Sequence, residues 1–221
     1  MSYGPIAVEH EQRAKHAYEA NVVFGSLEGR QVVLKTFEHH GFFSRLLGGW
    51  LVRRELRFYR LLDAIGTLDD GERWLPADVR PWGRWGMLMP FIHHRPLRLV
   101  PPAEVPPVFI ERLQEAMRRM HAHRVVHLDL ANARNILVSA DGHPMLLDFA
   151  SSISFRRLPL LGRPLTTLFG HADRTALLKW KARLFPDAMS EAERRYLERM
   201  LALRRLWPFP WRHSWGRPRR G

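Results

Sequence analysis

The chain has 221 residues and a mass of 25.9 kDa, and 46% of its residues are hydrophobic, so we expect one substantial core or two small lobes. It contains no cysteine, which excludes disulfides and thiolate chemistry, and no apolar run is long enough to span a membrane. The formal net charge is +13, and residues 151–221 hold 16 Lys and Arg against 5 Asp and Glu. Such a positive field attracts polyanions: nucleic acid, an anionic membrane surface or a phosphorylated glycolipid.

The first part of the chain predicts a hairpin followed by a helix. Two short apolar runs, 22–24 and 32–34, are joined by Gly-Ser-Leu-Glu-Gly-Arg, which predicts a β-hairpin with Lys35 at its exit. Residues 51–62 carry apolar residues at helical spacing among arginines, so a helix is predicted there. The only acid in this segment is Glu55.

The middle of the chain predicts two strands, a boundary and a second helix. Residues 74–79 and the apolar run GMLMPFI at 86–92 predict strands. Five prolines between residues 96 and 107 leave no room for regular structure and indicate a boundary between lobes. Apolar residues at three-to-four spacing then predict a helix over 108–121.

The last part of the chain predicts two short strands and two helices. The strands are residues 136–138 and 145–149, and the helices are residues 173–184 and 191–207. Ser190 followed three residues later by Glu193 predicts a capping box at the start of the last helix. The tail WPFPWRHSWGRPRRG is aromatic and basic, a composition that suits the headgroup layer of an anionic membrane.

Two acids and an amide surround the predicted strand pair. Asp129 lies in a polar turn before it, Asn135 directly precedes the first strand and Asp148 lies in the second. Phosphoryl transfer requires a carboxylate that orients the acceptor hydroxyl and hard oxygen ligands for Mg²⁺. The hairpin is expected to bring Asn135 and Asp148 together as magnesium ligands, with Asp129 placed to meet an acceptor.

In this order, HLDL, NILV and LLDFA resemble the HRDL…N…DFG core of the protein-kinase-like superfamily. Lys35 in VVLK and Glu55 in RREL resemble the lysine of the third strand and its glutamate partner, and MLMPFI resembles the strand and hinge that receive adenine. The resemblance covers roughly residues 20–150. It implies an α+β, bilobal fold with a small antiparallel-sheet N-lobe at 1–95 and a shortened, mainly helical C-lobe at 96–221.

The resemblance also implies ATP and Mg²⁺ as cofactors and a role for each matching residue. Asp129 would orient or deprotonate the acceptor hydroxyl, while Asn135 and Asp148 would bind Mg²⁺ and complete the catalytic set. The residues expected to contact the nucleotide, or to position those that do, are Lys35, Glu55, Met89, Phe91 and Ile92.

Several departures from the pattern bear on the acceptor. Leu128 replaces the arginine that grips a phosphorylated activation loop in regulated protein kinases, Ala131 replaces a lysine, and no APE motif follows the DFA. The C-lobe is also short. These features resemble the small bacterial members of the superfamily, the lipopolysaccharide core Kdo and heptose kinases, and more distantly the RIO-type kinases. We therefore expect a sugar hydroxyl of a glycolipid or small molecule as the acceptor, at the cytoplasmic membrane face.

Two further departures concern catalysis itself. Asp129 and Asn135 are six positions apart where the family usually has five, so one inserted residue is inferred and Asn135 is preferred to Asn132. No G-x-G-x-x-G motif precedes Lys35, which predicts a looser clamp on the phosphates. The alternatives are a minimal protein serine/threonine kinase and a catalytically silent pseudokinase that binds a partner or membrane. A nucleic-acid binder is the least favoured of the four.

Each residue also has a purely structural interpretation. Asp148 would cap a turn, Asp129 would tie down its own turn, and Glu55 would neutralise surface arginines. His127 is interpreted as a core histidine that bonds to backbone around the loop. The other histidines lack the spacing of a zinc site, so no metal role is assigned to them.

Overall fold

The structure is a computed structural model. It describes residues 3–14, 16 and 19–205, and for residues 204 and 205 it describes the backbone alone. The predicted aromatic tail and the end of the last predicted helix lie outside the described residues. The secondary-structure elements, numbered in chain order, are strands β1 (Ala7–Gln12), β2 (Asn21–Leu27) and β3 (Arg30–Thr36), helix α1 (Phe42–Leu62), strands β4 (Arg80–Trp82), β5 (Gly86–Pro90) and β6 (Arg95–Pro96), helix α2 (Val108–Ala122), strands β7 (Val125–Val126), β8 (Ile136–Val138), β9 (Pro144–Leu146) and β10 (Ile153–Ser154), and helices α3 (Gly162–Leu184) and α4 (Glu191–Arg205).

The chain divides into two compact units. Of the described residues, the first unit contains those up to His94 together with Met145–Ser152, and the second contains Arg95–Pro144 and those from Ile153 onward. The first unit is an antiparallel sheet with one helix, and the second is mainly helical. This is the α+β architecture expected from the sequence. Within the described residues, no helix has both the length and the apolar composition needed to cross a bilayer.

The sheet of the first unit has the strand order β1-β2-β3-β5-β4, and all its neighbours are antiparallel. The predicted hairpin is confirmed as β2 and β3, which are joined by a two-residue turn. Glu28 and Gly29 in this turn have φ values of 53° and 77°, the left-handed pair that matches the twist of the flanking strands. Residues alternate between buried and partly buried along β2, so one face of the sheet forms a core.

Helix α1 is nine residues longer at its start than predicted, because it begins at Phe42 and not at residue 51. Glycine has a low helix propensity, so Gly48 and Gly49 weaken the prediction of a helix from the sequence. In the structure, these glycines permit close packing. A Cβ atom on Gly48 would lie 2.1 Å from the Phe37 ring, and one on Gly49 would lie 2.5 Å from the Trp85 ring. The two glycines therefore allow the helix to lie directly against these aromatic side chains.

The prediction of a strand at 74–79 is wrong, and the strand at this place is β4, which begins at Arg80. The apolar residues of the segment are buried from a loop: the Trp74 side chain is fully buried, and its indole N–H donates to Ile65 O at 2.8 Å. Asp78 has φ 53°, which interrupts any extended strand. Strand β1 was not predicted, since most of its residues are exposed and polar.

The second unit is built around α2 and α3. The predicted helix over 108–121 is confirmed as α2, which buries Phe109, Ile110, Leu113, Met117 and Met120. Helix α3 begins at Gly162, eleven residues before the predicted start.

The capping box at the start of α4 is confirmed by two bonds. The Glu193 N–H donates to Ser190 Oγ at 3.2 Å, and the Ser190 N–H donates to Glu193 Oε2 at 2.8 Å.

Candidate functional site

Three of the predicted site residues meet in the first unit, and we call Lys35, Glu55 and Asp148 the ammonium cluster. Lys35 lies near the end of β3, Glu55 on the buried face of α1, and Asp148 two residues after β9. Lys35 Nζ lies 2.7 Å from Glu55 Oε2 and 2.9 Å from Asp148 Oδ1. Glu55 is 1% exposed, so its interpretation as a surface residue that neutralises arginines is wrong.

Burial and charge shift the titration of this cluster. Burial raises the pKa of Glu55 to about 7, since it outweighs the Lys35 ammonium, which lowers that pKa. For Lys35 the balance is reversed: burial lowers its pKa, but the charges of Asp148 and Glu55 more than offset this and hold it above its usual range. The Lys35 ammonium therefore stays charged at neutral pH. The Glu55 carboxyl gains or loses its proton close to neutral pH.

The backbone around Asp148 is held in an uncommon conformation. Asp148 has φ 60° and ψ 73°, in the left-handed region that only a few per cent of non-glycine residues adopt. Its N–H donates to Tyr59 Oη at 3.2 Å, and the ring of the buried Phe149 packs against Tyr59 at a centroid distance of 5.2 Å. This conformation cannot continue an extended strand, so the strand predicted at 145–149 ends at Leu146.

Arg54 fixes the residues that follow. Its guanidinium donates to Ala150 O at 2.8 Å and to Ser152 O at 2.6 Å, and thereby ties the DFA segment to α1. Sequence reasoning missed this role, because an arginine among several others on a helix carries no distinguishing signal. Sequence reasoning also missed Tyr59, because it lies on the apolar stripe of α1 and its spacing indicates only a core residue.

The residues predicted to form the adenine-binding hinge lie at the end of β5. Met89 is 8% exposed and pairs with Val33 of β3 in the sheet. The Phe91 N–H donates to Gln31 O at 3.0 Å, and its half-exposed ring lies edge-on to Phe24 with centroids 6.2 Å apart. Ile92 is partly buried. Adenine binding by these residues stays a prediction.

The second unit holds the other two predicted residues, the catalytic-loop pair Asp129 and Asn135. Asn135 is 3% exposed, and its amide nitrogen donates to Asp129 Oδ2 at 2.8 Å and to Asp129 O at 3.1 Å. The Asn132 amide reaches the same carboxylate oxygen only at 3.4 Å. Asn135 is therefore the amide that fixes the orientation of the Asp129 carboxylate across the six-residue spacing.

Asp173 of α3 organises the backbone before Asp129. It is fully buried and accepts hydrogen bonds from the N–H groups of His127 and Leu128, each at 2.8 Å. Its Oδ2 also lies 2.9 Å from His121 Nε2. Leu128 has φ 67°, so Asp173 holds a leucine in a strained left-handed conformation. His127 is fully buried, as expected of a core histidine.

Sequence reasoning missed Asp173 because an acid within a helical segment is usually exposed. The one signal available is its position in the helix. Ala176, Leu177 and Trp180 follow it at helical spacing and are buried, so the periodicity places this acid on a buried face.

Asn135 and Asp148 each carry an oxygen of the kind that Mg²⁺ binds in proteins. Since the Asn135 amide nitrogen donates to Asp129, the amide oxygen is the atom that a cation would use, and Asp148 supplies a carboxylate. Magnesium commonly binds through one or two protein oxygens together with water and substrate phosphates. In the described part of the chain, no three His, Asp or Glu side chains form a metal site by themselves. The predicted joint ligation by Asn135 and Asp148, which belong to different units, stays a prediction.

The second unit also contains a cavity of about 540 Å³ between the end of α2 and the first half of α3. Neither Asp129 nor Asn135 lines it. The lining side chains include Arg124, Arg163 and Arg174. This cavity is therefore separate from the catalytic-loop pair.

Comparison of the sequence with protein-family models and with curated proteins found no match. Comparison of the structure found the Rio2 kinase-ADP/Mg²⁺-phosphoaspartate complex from Chaetomium thermophilum, with a TM-score of 0.59 and 18% identity over 87% of this chain. A second structure of the Rio2 kinase from the same organism matches with a TM-score of 0.56 and 15% identity over 90% of this chain. This chain spans 60% of the first kinase chain and 74% of the second. With the ordered motifs on their expected elements, these matches show that the chain has the fold of the protein-kinase-like superfamily.

Proposed function

We propose that this protein is an ATP-dependent phosphotransferase that uses Mg²⁺ and transfers a phosphoryl group to a hydroxyl. The observation that carries the proposal is the ammonium cluster, in which Lys35 Nζ lies within 3 Å of both the Glu55 and the Asp148 carboxylates. A charged ammonium held by carboxylates is suited to polyphosphate binding. The structural neighbour in complex with ADP/Mg²⁺ supports the same class of ligand.

In this proposal the first unit holds the nucleotide. Lys35 binds the α- and β-phosphates, and Glu55 positions Lys35 by its 2.7 Å contact. Asp148 contributes a carboxylate oxygen, and Asn135 of the second unit an amide oxygen, to the cation that accompanies the phosphates. When bound, Mg²⁺ supplies charge neutralisation at the transferring phosphoryl group. Met89, Phe91 and Ile92 receive the adenine at the end of β5.

Asp129 orients the acceptor and takes its proton. A bond forms between the acceptor oxygen and the γ-phosphorus, the bond from that phosphorus to the β–γ bridging oxygen breaks, and ADP leaves. The Asn135 amide at 2.8 Å fixes the Asp129 carboxylate for this step. Most of the rate enhancement then comes from positioning and from electrostatic stabilisation of the transferring group.

The acceptor we propose is a sugar hydroxyl of a glycolipid or small molecule at the cytoplasmic membrane face. Three features support it: the net charge of +13, the leucine at position 128, and the alanine at position 131. A positive protein favours an anionic acceptor or an anionic surface. Leu128 stands in place of the arginine that grips a phosphorylated activation loop, and Ala131 in place of the lysine that serine/threonine protein kinases direct toward the transferred phosphate, so a protein acceptor is disfavoured.

The test is transfer from radiolabelled ATP into fractionated cell envelope. The wild-type protein should label a lipid or sugar fraction in a Mg²⁺-dependent way, and Asp129→Asn and Asp148→Asn should each reduce this by at least about 1000-fold. Asp141→Asn is the matched control, since Asp141 is an exposed turn residue. Undiminished labelling in either site variant would remove the assignment, and labelling of protein alone would favour the protein-kinase alternative.

A catalytically silent pseudokinase is the second candidate. The segment that joins β1 to β2, residues 13–20, contains no glycine, so it lacks the residues that let backbone approach phosphates closely. Gly25 in β2 has a packing role instead, because a Cβ there would lie 2.3 Å from Ala7 O. This candidate predicts no phosphoryl transfer and no stabilisation by Mg²⁺-ATP, whereas an active kinase at 100 times its Kd for nucleotide should gain about 2.7 kcal/mol.

A further inference from the structure

The start of helix α1 exposes an unusual set of large apolar side chains. Five of them lie within nine residues, and each is between 49% and 83% exposed. They form what we call the apolar face of α1, which consists of Phe42, Phe43, Leu46, Leu47 and Trp50. Single exposed apolar residues are ordinary, but a contiguous patch marks an interaction surface.

The helical geometry makes this patch one continuous surface. At 100° per residue, positions i, i+1, i+4, i+5 and i+8 fall within an arc of about 140°. The residues of α1 that pack into the core, such as Gly48, Val52, Leu56 and Tyr59, lie on the opposite side of the helix. The helix therefore has two apolar faces along its first three turns, and the fold of the first unit covers only one of them.

The charged residues of α1 indicate what kind of partner binds the apolar face. Helix α1 contains five arginines and a single acid, Glu55, which is buried against Lys35. Arg53, Arg57 and Arg60 are exposed, and their spacing continues the apolar face along the same side of the helix. The exposed acids nearest to the helix, Glu38 and Asp63, lie before it begins and after it ends. The surface is thus apolar at one end, cationic at the other, and free of exposed carboxylates along the helix.

We propose that the apolar face of α1 docks onto an anionic lipid bilayer, with its side chains in the headgroup–acyl boundary and the exposed arginines against lipid phosphates. Phenylalanine, leucine and tryptophan on one helical face, with arginines beside them, are the composition of helices that lie in a membrane interface. This inference does not rest on phosphoryl transfer.

A second copy of the chain fits the surface less well. Two parallel copies of α1 would place arginines against arginines. Two antiparallel copies would place the arginines of each helix against the apolar turns of the other and bury unpaired guanidinium groups. A bilayer that contains anionic lipid contacts both ends of the surface at once, because its acyl chains receive the apolar side chains and its phosphates pair with the arginines. These two layers lie within a few ångströms of each other.

The experiment measures partition of the full chain onto sedimented vesicles of phosphatidylcholine alone and with 30% phosphatidylglycerol. The wild type should prefer the anionic vesicles. Phe43→Ser with Leu47→Ser should lower partition onto them at least ten-fold. Arg53→Gln with Arg57→Gln should remove the preference for anionic lipid and reduce the dependence on salt. Circular dichroism and thermal unfolding show whether each variant is folded.

The matched control is Leu160→Ser with Leu161→Ser, which removes two exposed leucines from another part of the chain. It should bind vesicles like the wild type. The proposal is overturned if the wild type binds neither vesicle, or if Phe43→Ser with Leu47→Ser binds as the wild type does. It is also overturned if binding is lost instead with Trp211→Ser and Trp215→Ser, which would assign the contact to the tail.

A second readout places the surface directly. The chain has no cysteine, so Phe43→Cys introduces a single site for an environment-sensitive fluorophore. The label should shift to shorter wavelength on anionic vesicles, and a label at Leu160→Cys should not. A shift without vesicles that depends on protein concentration, together with a doubled mass in sedimentation equilibrium, would assign the surface to a second copy and contradict the proposal.

Discussion

Lys35 and Glu55 form an ion pair in which the ammonium nitrogen lies 2.7 Å from a carboxylate oxygen that is almost fully removed from solvent. The pair joins a strand to a helix across 20 residues of sequence, and Asp148 adds a second carboxylate from 113 residues beyond Lys35. The cluster therefore fixes the spatial relation of three separate chain segments within the first unit. A charge network of this kind has measurable consequences for stability, for pH dependence and for nucleotide binding.

Removal of the cation should destabilise the protein. Lys35→Met leaves Glu55 buried without its partner, so we expect the free energy of unfolding to fall by roughly 1–3 kcal/mol. Lys35→Met combined with Glu55→Met should recover most of this loss, because two apolar side chains then replace the pair. Urea denaturation of the single and the double variant measures both changes in the free energy of unfolding. The control Arg195→Met breaks an exposed pair with Glu191 and should cost less than about 0.5 kcal/mol. A Lys35→Met variant as stable as the wild type would contradict the prediction.

The raised pKa of Glu55 predicts a pH dependence with a definite sign. The carboxyl has an ordinary pKa of 4.5 and a pKa of about 7 in the folded protein, so between these values the folded state binds more protons than the unfolded state. Stability should therefore fall as the pH rises from 4.5 to 7 and then level off, with a contribution from this group of at most about 3 kcal/mol.

The check compares the wild type with Glu55→Gln, which does not titrate. The free energy of unfolding of the wild type, minus that of Glu55→Gln, should decrease across the window from pH 4.5 to 7. Other titrating groups contribute to both proteins and largely cancel in this difference. A difference that stays constant, or that increases with pH, would show that Glu55 keeps an ordinary or a lowered pKa.

Asp173 should be needed for the shape of the catalytic loop. Asp173→Ala leaves the buried N–H of His127 and the partly buried N–H of Leu128 without the Asp173 carboxylate, so we expect a loss of roughly 2–4 kcal/mol in unfolding free energy. Asp173→Asn keeps one acceptor oxygen and should lose less. Asp187→Ala, an exposed aspartate in the same unit, is the control and should change stability little. Equal stability of Asp173→Ala and Asp187→Ala in chemical denaturation would exclude this role.

The two asparagines of the loop should differ in their effect on catalysis. Asn135→Ala removes the amide that lies 2.8 Å from Asp129 and the proposed metal ligand, so phosphoryl transfer should fall by at least about 100-fold. Asn132→Ala removes a contact of 3.4 Å and should reduce transfer by less than about ten-fold. Steady-state transfer rates over a range of Mg²⁺ concentrations measure both. A larger loss in Asn132→Ala would reassign the metal ligand to Asn132.

The sequence predicted the hairpin, helix α2 and the capping box well, because each has a strong local pattern. It also identified Lys35 and Glu55 as partners, since the family resemblance supplied a long-range relation that no local pattern contains. The interpretation of Asn135 as the metal-binding amide depends on its position before an apolar strand. The structure shows this amide bonded to Asp129, and its metal role stays a prediction.

The errors have a common physical cause, which is that tertiary contacts outweigh local preference. The residues around Trp74 look like a strand because they are apolar, but they fill the core from a loop. The first turns of α1 contain two glycines, yet they are helical because the glycines admit Phe37 and Trp85. Asp173 has no distinctive sequence context, since its role depends on backbone groups more than 40 residues away.

The most direct test of the account is calorimetric titration of ATP into the wild-type protein and into Lys35→Met, with and without Mg²⁺. The account predicts that the wild type binds ATP at least ten-fold more tightly with Mg²⁺ than without it, and that Lys35→Met weakens Mg²⁺-ATP binding at least ten-fold while the protein remains folded. Binding of Mg²⁺-ATP by folded Lys35→Met with the wild-type affinity would contradict the central claim that the ammonium cluster holds the nucleotide.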